Sequence, residues 1–145
     1  MRLVIALVLV GSCSLPRPGV ELTISGTQLT GSREGSYCQS GGCSGVCADA
    51  PPLNAPLTRV AASPPYVFEF ATGSEVNQIH VDLFSGDGLR GQSPAYTFDL
   101  SGSERRHSTT TPLAGHYYIV VGVGWSRLID RGDTSRIFQI DVVPK

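Results

Sequence analysis

After Met1 the chain has no methionine, after Cys47 it has no cysteine, and nowhere does it carry an apolar run long enough to cross a bilayer as a helix. The first two absences remove the soft sulfur ligands that a cupredoxin-type copper site draws from near the last strand. Charge of one sign is also missing: 12 acidic side chains stand against 11 basic ones in 145 residues. Such a balance gives no electrostatic grip on nucleic acid or on an anionic membrane surface. The G-x-S-x-G elbow of the α/β-hydrolases does not occur, and neither does a paired C-x-x-C or an H-x-x-x-H, so hydrolase and zinc sites lack their usual spacing. No stretch of ten residues holds a helical period.

What is present begins with Met1-Arg2, an unbroken apolar run from Leu3 to Val10, the small residues Gly11 and Ser12, and then Cys13. A short basic start, an apolar stretch and small residues form the layout of a secretory signal. The four residues Val10-Gly11-Ser12-Cys13 resemble the lipobox of bacterial lipoproteins. That resemblance implies removal of residues 1–12 and a diacylglycerol thioether on Cys13, the new N-terminus. Residues 13–19 would then be a lipidated tether, stiffened by Pro16 and Pro18. Acyl burial at about 0.8 kcal/mol per CH₂ would hold the chain to a membrane of the cell envelope, firmly once two or three chains are attached.

Residues 20–145 read as a single all-β domain, since 133 residues after residue 12 suffice for one core and not for two. Seventeen glycines and ten prolines, with many Thr, Val and Ile, favour short strands joined by turns. Strict alternation marks Val20, Leu22 and Ile24; Tyr66, Phe68 and Phe70; Ile79, Val81 and Leu83; Tyr96, Phe98 and Leu100; and Phe138, Ile140 and Val142. Leu57–Ala62 is a further strand. Along 116–124 both faces are apolar, with Tyr117, Ile119, Val121, Val123 and Trp125 on one and Tyr118 and Val120 on the other, as suits a central strand. About seven strands predict a β-sandwich, with polar loops over Ser101–Thr111 and between the last two strands. Pro112-Leu113-Ala114-Gly115-His116-Tyr117 is similar to the entry of strand F in immunoglobulin-like and fibronectin type III domains, which implies a structural tyrosine corner at Tyr117. The pieces Gly35-Ser36-Tyr37-Cys38, Cys47-Ala48-Asp49, Tyr117, Trp125, Gly132-Asp133 and Phe138 also resemble uncharacterised bacterial lipoproteins, a likeness that implies fold and location but no activity.

Cys38, Cys43 and Cys47 sit in a Gly/Ser-rich segment, and an exported chain makes disulfide their default. The outer pair, Cys38 and Cys47, is the expected bridge because Cys43 lies in a glycine-rich insertion. A zinc site on these thiols with His80, His107 or His116 is the rival reading. No metal and no cofactor is expected. Ser44, His116 and Asp133 are the residues a hydrolase would have to bring together. Arg131-Gly132-Asp133 falls where fibronectin-type domains display their integrin-binding tripeptide, although its glycine also suits an ordinary turn. These observations predict a non-catalytic envelope module that binds a protein or a glycan, with Tyr37, Trp125, Arg131 and Asp133 as its candidate surface. An inhibitor presenting the Cys38–Cys47 loop to an enzyme is the alternative.

Overall fold

Alternation of buried and wet side chains organises the chain into eleven strands in the computed structural model, which describes residues 15–41, 45–48, 54–86 and 93–145. The strands are β1 (Val20–Ile24), β2 (Thr27–Gln28), β3 (Arg33–Gly41), β4 (Val46–Ala48), β5 (Leu57–Ala61), β6 (Tyr66–Thr72), β7 (Val76–Ser85), β8 (Tyr96–Ser101), β9 (Arg106–Thr109), β10 (Gly115–Ser126) and β11 (Asp130–Val143). Among the described residues there is no helix. Cys13, Cys43, Ser44 and the expected signal segment lie outside the described residues.

The strands form two sheets, one ordered β2-β1-β6-β9 and the other β4-β3-β11-β10-β7-β8. The long β11 is flanked by β10 along its whole length. On its other side it pairs antiparallel with β3 over its first half and parallel with β5 over its second. Naming β1, β6 and β9 as A, B and E, and β7, β8, β10 and β11 as C, C′, F and G, gives the ABE and GFCC′ layers of an immunoglobulin-like sandwich. The expected all-β sandwich is therefore present, enlarged beyond seven strands by the β3–β4 hairpin, the short β2 and β5 alongside β11.

The core forms where the two inner faces meet. Leu22 and Ile24 of β1 and Phe68 of β6 face Ile79, Val81, Leu83, Ile119, Val121 and Ile140, all at most 1 % exposed. Phe98 stands between Phe68 and Phe70 with ring centroids 5.2 and 6.3 Å away, so aromatic contact joins the layers. The Tyr66 hydroxyl donates to the Leu113 carbonyl at 2.9 Å, and the Tyr117 hydroxyl accepts from the Ala114 amide at 3.4 Å. Tyrosines of opposite sheets thus pin the turn into β10, the structural role that the tyrosine-corner resemblance implies for Tyr117.

Two expected loops are strands. Ser101–Thr111 contains β9, which pairs with β6. The segment expected to link the last two strands is mostly the start of β11, leaving only Arg127–Ile129 between β10 and β11.

Candidate functional site

The even-numbered residues of β10 point away from the core, and two of them, Gly122 and Gly124, have no side chain. Register places His80 and Ser135 beside Gly122, and Gln78 and Asp133 beside Gly124. The outer face of the larger sheet is therefore notched at these two positions, whereas His116, Tyr118 and Val120 fill the outward positions before them. Neither glycine has a left-handed φ, and a Cβ on either would meet only ordinary contacts at 3.6 to 3.9 Å. Backbone geometry and packing do not demand glycine here, although glycine inside a strand costs roughly 0.5–1 kcal/mol relative to alanine.

One wall of the notch is built by the β3–β4 hairpin. Cys38 and Cys47 face each other across it, Cα atoms 4.1 Å apart, and are joined by the expected disulfide. Two of the three thiols of the zinc reading are thereby unavailable as thiolates. Cys38 lies opposite Asp133 on β11, so bridge, carboxylate and Gly124 share one face. The groove has a volume of about 430 Å³ and is lined by the disulfide, Val46, Asn77, Gly124, Arg131 and Asp133, among others. A smaller extension of about 310 Å³ continues over Gly122 past His80, Ser36 and Ser135.

Arg131 and Asp133 are exposed and two residues apart on one strand, so both project into this groove. Neither side chain has a partner among the described residues. Their position corrects the reading of Arg131-Gly132-Asp133 as a displayed loop tripeptide, because the three residues are held on both sides, by β10 and by β3. Gly132 is fixed by packing: a Cβ there would strike the Cys38 carbonyl and come within 2.9 Å of Gln39 Cα and Trp125 Cζ2.

The other two candidates are less exposed, Trp125 being buried and Tyr37 half-buried. Trp125 is 3 % exposed and belongs to the core, supporting the groove floor from beneath with its Nε1–H buried and unpartnered among the described residues. Tyr37 pairs with Thr134 and so lies on the inward side of β3, where the Arg17 guanidinium covers its ring at 3.6 Å. Arg17 is also bonded to Glu34 at 2.7 Å, which holds the Glu34 carboxyl below its ordinary range. The Leu15 and Pro16 carbonyls accept hydrogen bonds from Gln39 Nε2 and Arg127 Nη2, at 3.2 and 2.8 Å. Residues 15–17 of the expected tether are thus bonded to the sandwich.

His80 borders the smaller extension, with Nδ1 2.7 Å from Asp99 and Nε2 3.1 Å from Asp82. The Asp99 hydrogen bond first, and then the charge of Asp82, raise its pKa above the ordinary 6.5. His107 is stacked on Phe98 at 3.9 Å and bonded to the Tyr96 hydroxyl at 2.7 Å; burial lowers its pKa. His116 and Asp133 occupy opposite ends of the β10–β11 ladder. The eight residues from His116 to Gly124, the partner of Asp133, span about 27 Å, which rules out their joining in a triad.

The signal for the notch was legible: the outward series Tyr118, Val120, Gly122, Gly124 empties at its end. The stronger inward apolar series of the same strand masks it. Compared with protein-family models, with curated proteins and with solved structures, the chain matches none.

Proposed function

We propose that this chain is a non-catalytic binding module of a bacterial cell envelope, held to a membrane by lipid on Cys13, that grips an extended segment of an envelope protein or glycan in the groove over Gly124. The observation that carries the reading is the open floor at Gly122 and Gly124, kept empty where nothing in the backbone or the packing requires it. Strand glycines of this kind mark places where another chain or a ligand approaches closely. The walls offer a guanidinium, a carboxylate and the amides of Asn77 and Gln78, groups that recognise polar polymer atoms by hydrogen bonds. A disulfide-clipped wall keeps the groove in shape without the partner, which lowers the entropy cost of binding. The lipobox-like Val10-Gly11-Ser12-Cys13 supports export and anchoring.

The test is photocrosslinking in the envelope of a bacterial host, with a benzoyl-phenylalanine analogue at Gln78 of the full chain. Discrete adducts are expected, and they should disappear when Gly124→Leu fills the floor. Adducts that persist unchanged in the filled variant would mean the groove is not the binding surface.

A further inference from the structure

Among the described residues five large apolar side chains are exposed, and four of them gather at one end of the sandwich. Leu128 is 102 % exposed, Ile129 55 %, Val46 51 % and Leu15 44 %. Gln39 ties them together: it faces Val46 across the hairpin, donates to the Leu15 carbonyl at 3.2 Å, and donates to Asp130, next to Ile129, at 2.8 Å. Gly41 closes the set, paired with Asp130 and packed against the Ile129 carbonyl. The fifth exposed residue, Leu57, pairs with Gln139 in the second half of β11 and stands apart.

The carboxylates at the tip are drawn to one guanidinium. Arg127 is 3.0 Å from Glu75 and 3.4 Å from Asp130, and Asp130 is buried. A two-residue apolar tip remains, and among the described residues the carboxylates beside it, Glu75 and Asp130, are turned to Arg127. A cluster of exposed apolar residues on a small domain marks a surface meant for protein or for membrane. Covalent geometry decides between them. Only Ser14 separates Leu15 from Cys13 in sequence, so two peptide units, a reach of about 7 Å, join them. A lipid on Cys13 places the bilayer surface at this end of the sandwich.

We infer that the Leu128-Ile129 tip, with Val46 and Leu15, dips into the lipid surface and fixes the angle at which the domain stands on it, leaving the groove at the side. The inference rests on the lipid-anchoring reading above. Apolar side chains at the headgroup boundary add burial to that of the acyl chains.

The experiment uses the full chain isolated from bacterial membranes and reconstituted in phosphatidylcholine vesicles that carry a diazirine on one acyl chain. Intact mass first establishes whether Cys13 is acylated; photolysis and peptide mapping then locate the lipid adducts. Adducts concentrated on Leu128 and Ile129, absent from Pro64-Pro65 at the far end, and reduced at least about tenfold by Leu128→Asp with Ile129→Asp, are expected. Both positions are exposed, so the double variant keeps its fold. An acylated chain without adducts at the tip overturns the inference and leaves the anchor standing. If Cys13 is unacylated, the anchor fails, and the same map still decides: adducts at the tip support a lipid contact, and their absence removes it. Crosslinks from the tip to polypeptide in native membranes, with none to lipid in vesicles, would assign the patch to a protein partner and also overturn the inference.

Discussion

At Gly132 the backbone of β11 is pinched between two structures. The Cys38 carbonyl of β3 presses from one side and the Trp125 ring, its cross-strand neighbour on β10, from the other. An added methyl would have to displace main chain and the largest side chain of the core together. Overpacking of this kind costs typically 1–3 kcal/mol. Gly132→Ala should therefore lower the urea midpoint by about that amount, whereas Gly124→Ala, eight residues earlier and open to solvent, should leave it unchanged or raise it slightly. Equal effects of the two substitutions would show that the close contact at Gly132 is not maintained. Arg131 and Asp133 owe their common direction to the strand that this glycine permits, so the orientation of the pair depends on a residue with no side chain.

The β3–β4 hairpin depends on its covalent link more than on burial. In β3 only Gly35 is fully buried, and β4 has three residues and pairs with β3 alone. A bridge closing about ten residues is worth a little under ~3 kcal/mol on loop-entropy grounds. Cys47→Ser should accordingly abolish hydrogen-exchange protection of Val46 and Ala48 while leaving β10 protected, since β10 lies between β7 and β11 in the core. Loss of protection throughout would show that the hairpin is part of the cooperative unit. The same features explain which elements could be read from the sequence. Strands with an inward apolar series, such as Tyr66-Phe68-Phe70 and Ile79-Val81-Leu83, announce themselves. The Arg33–Gly41 strand has no such series, because it is held through the edge of β11 and not through a core face. Only Thr109 of β9 is buried, and no alternation reveals it. Asp130–Asp133 reads as a turn because Arg-Gly-Asp is polar, yet its partner β3 could not be deduced before β3 itself was known. The disulfide was legible from spacing and compartment; the groove it walls needed the register.

For the molecule as a whole, stability against pH is set by groups that pull in opposite directions. His80 is raised above 6.5, so its contribution is full below 6.5 and is lost as pH rises through its folded pKa. His107 is lowered, so it favours folding while neutral and costs stability as pH falls below 6.5. His107 acts below 6.5 and His80 above it, so urea midpoints should pass through a shallow maximum near pH 6.5 and fall on either side. His80→Gln removes one side of the balance: the variant should lose stability relative to the wild type at pH 5.5 and match it more closely at pH 8. A constant difference across that range would mean that His80 does not gain its proton on folding. Glu34 is lowered by Arg17, and Glu75 by its own backbone amide and then by Arg127, so their contributions are present above 4.5 and disappear as pH falls through their folded pKa values. Both carboxylates hold the end of the sandwich to which residues 15–17 are bonded, directly or through Arg127. Acid should therefore release the Arg17 contact and the Arg127 turn before it opens the β7–β10–β11 centre. Amide resonances followed from pH 6 to 3 would reveal that order; simultaneous loss at both places would instead make the acid transition a single global event.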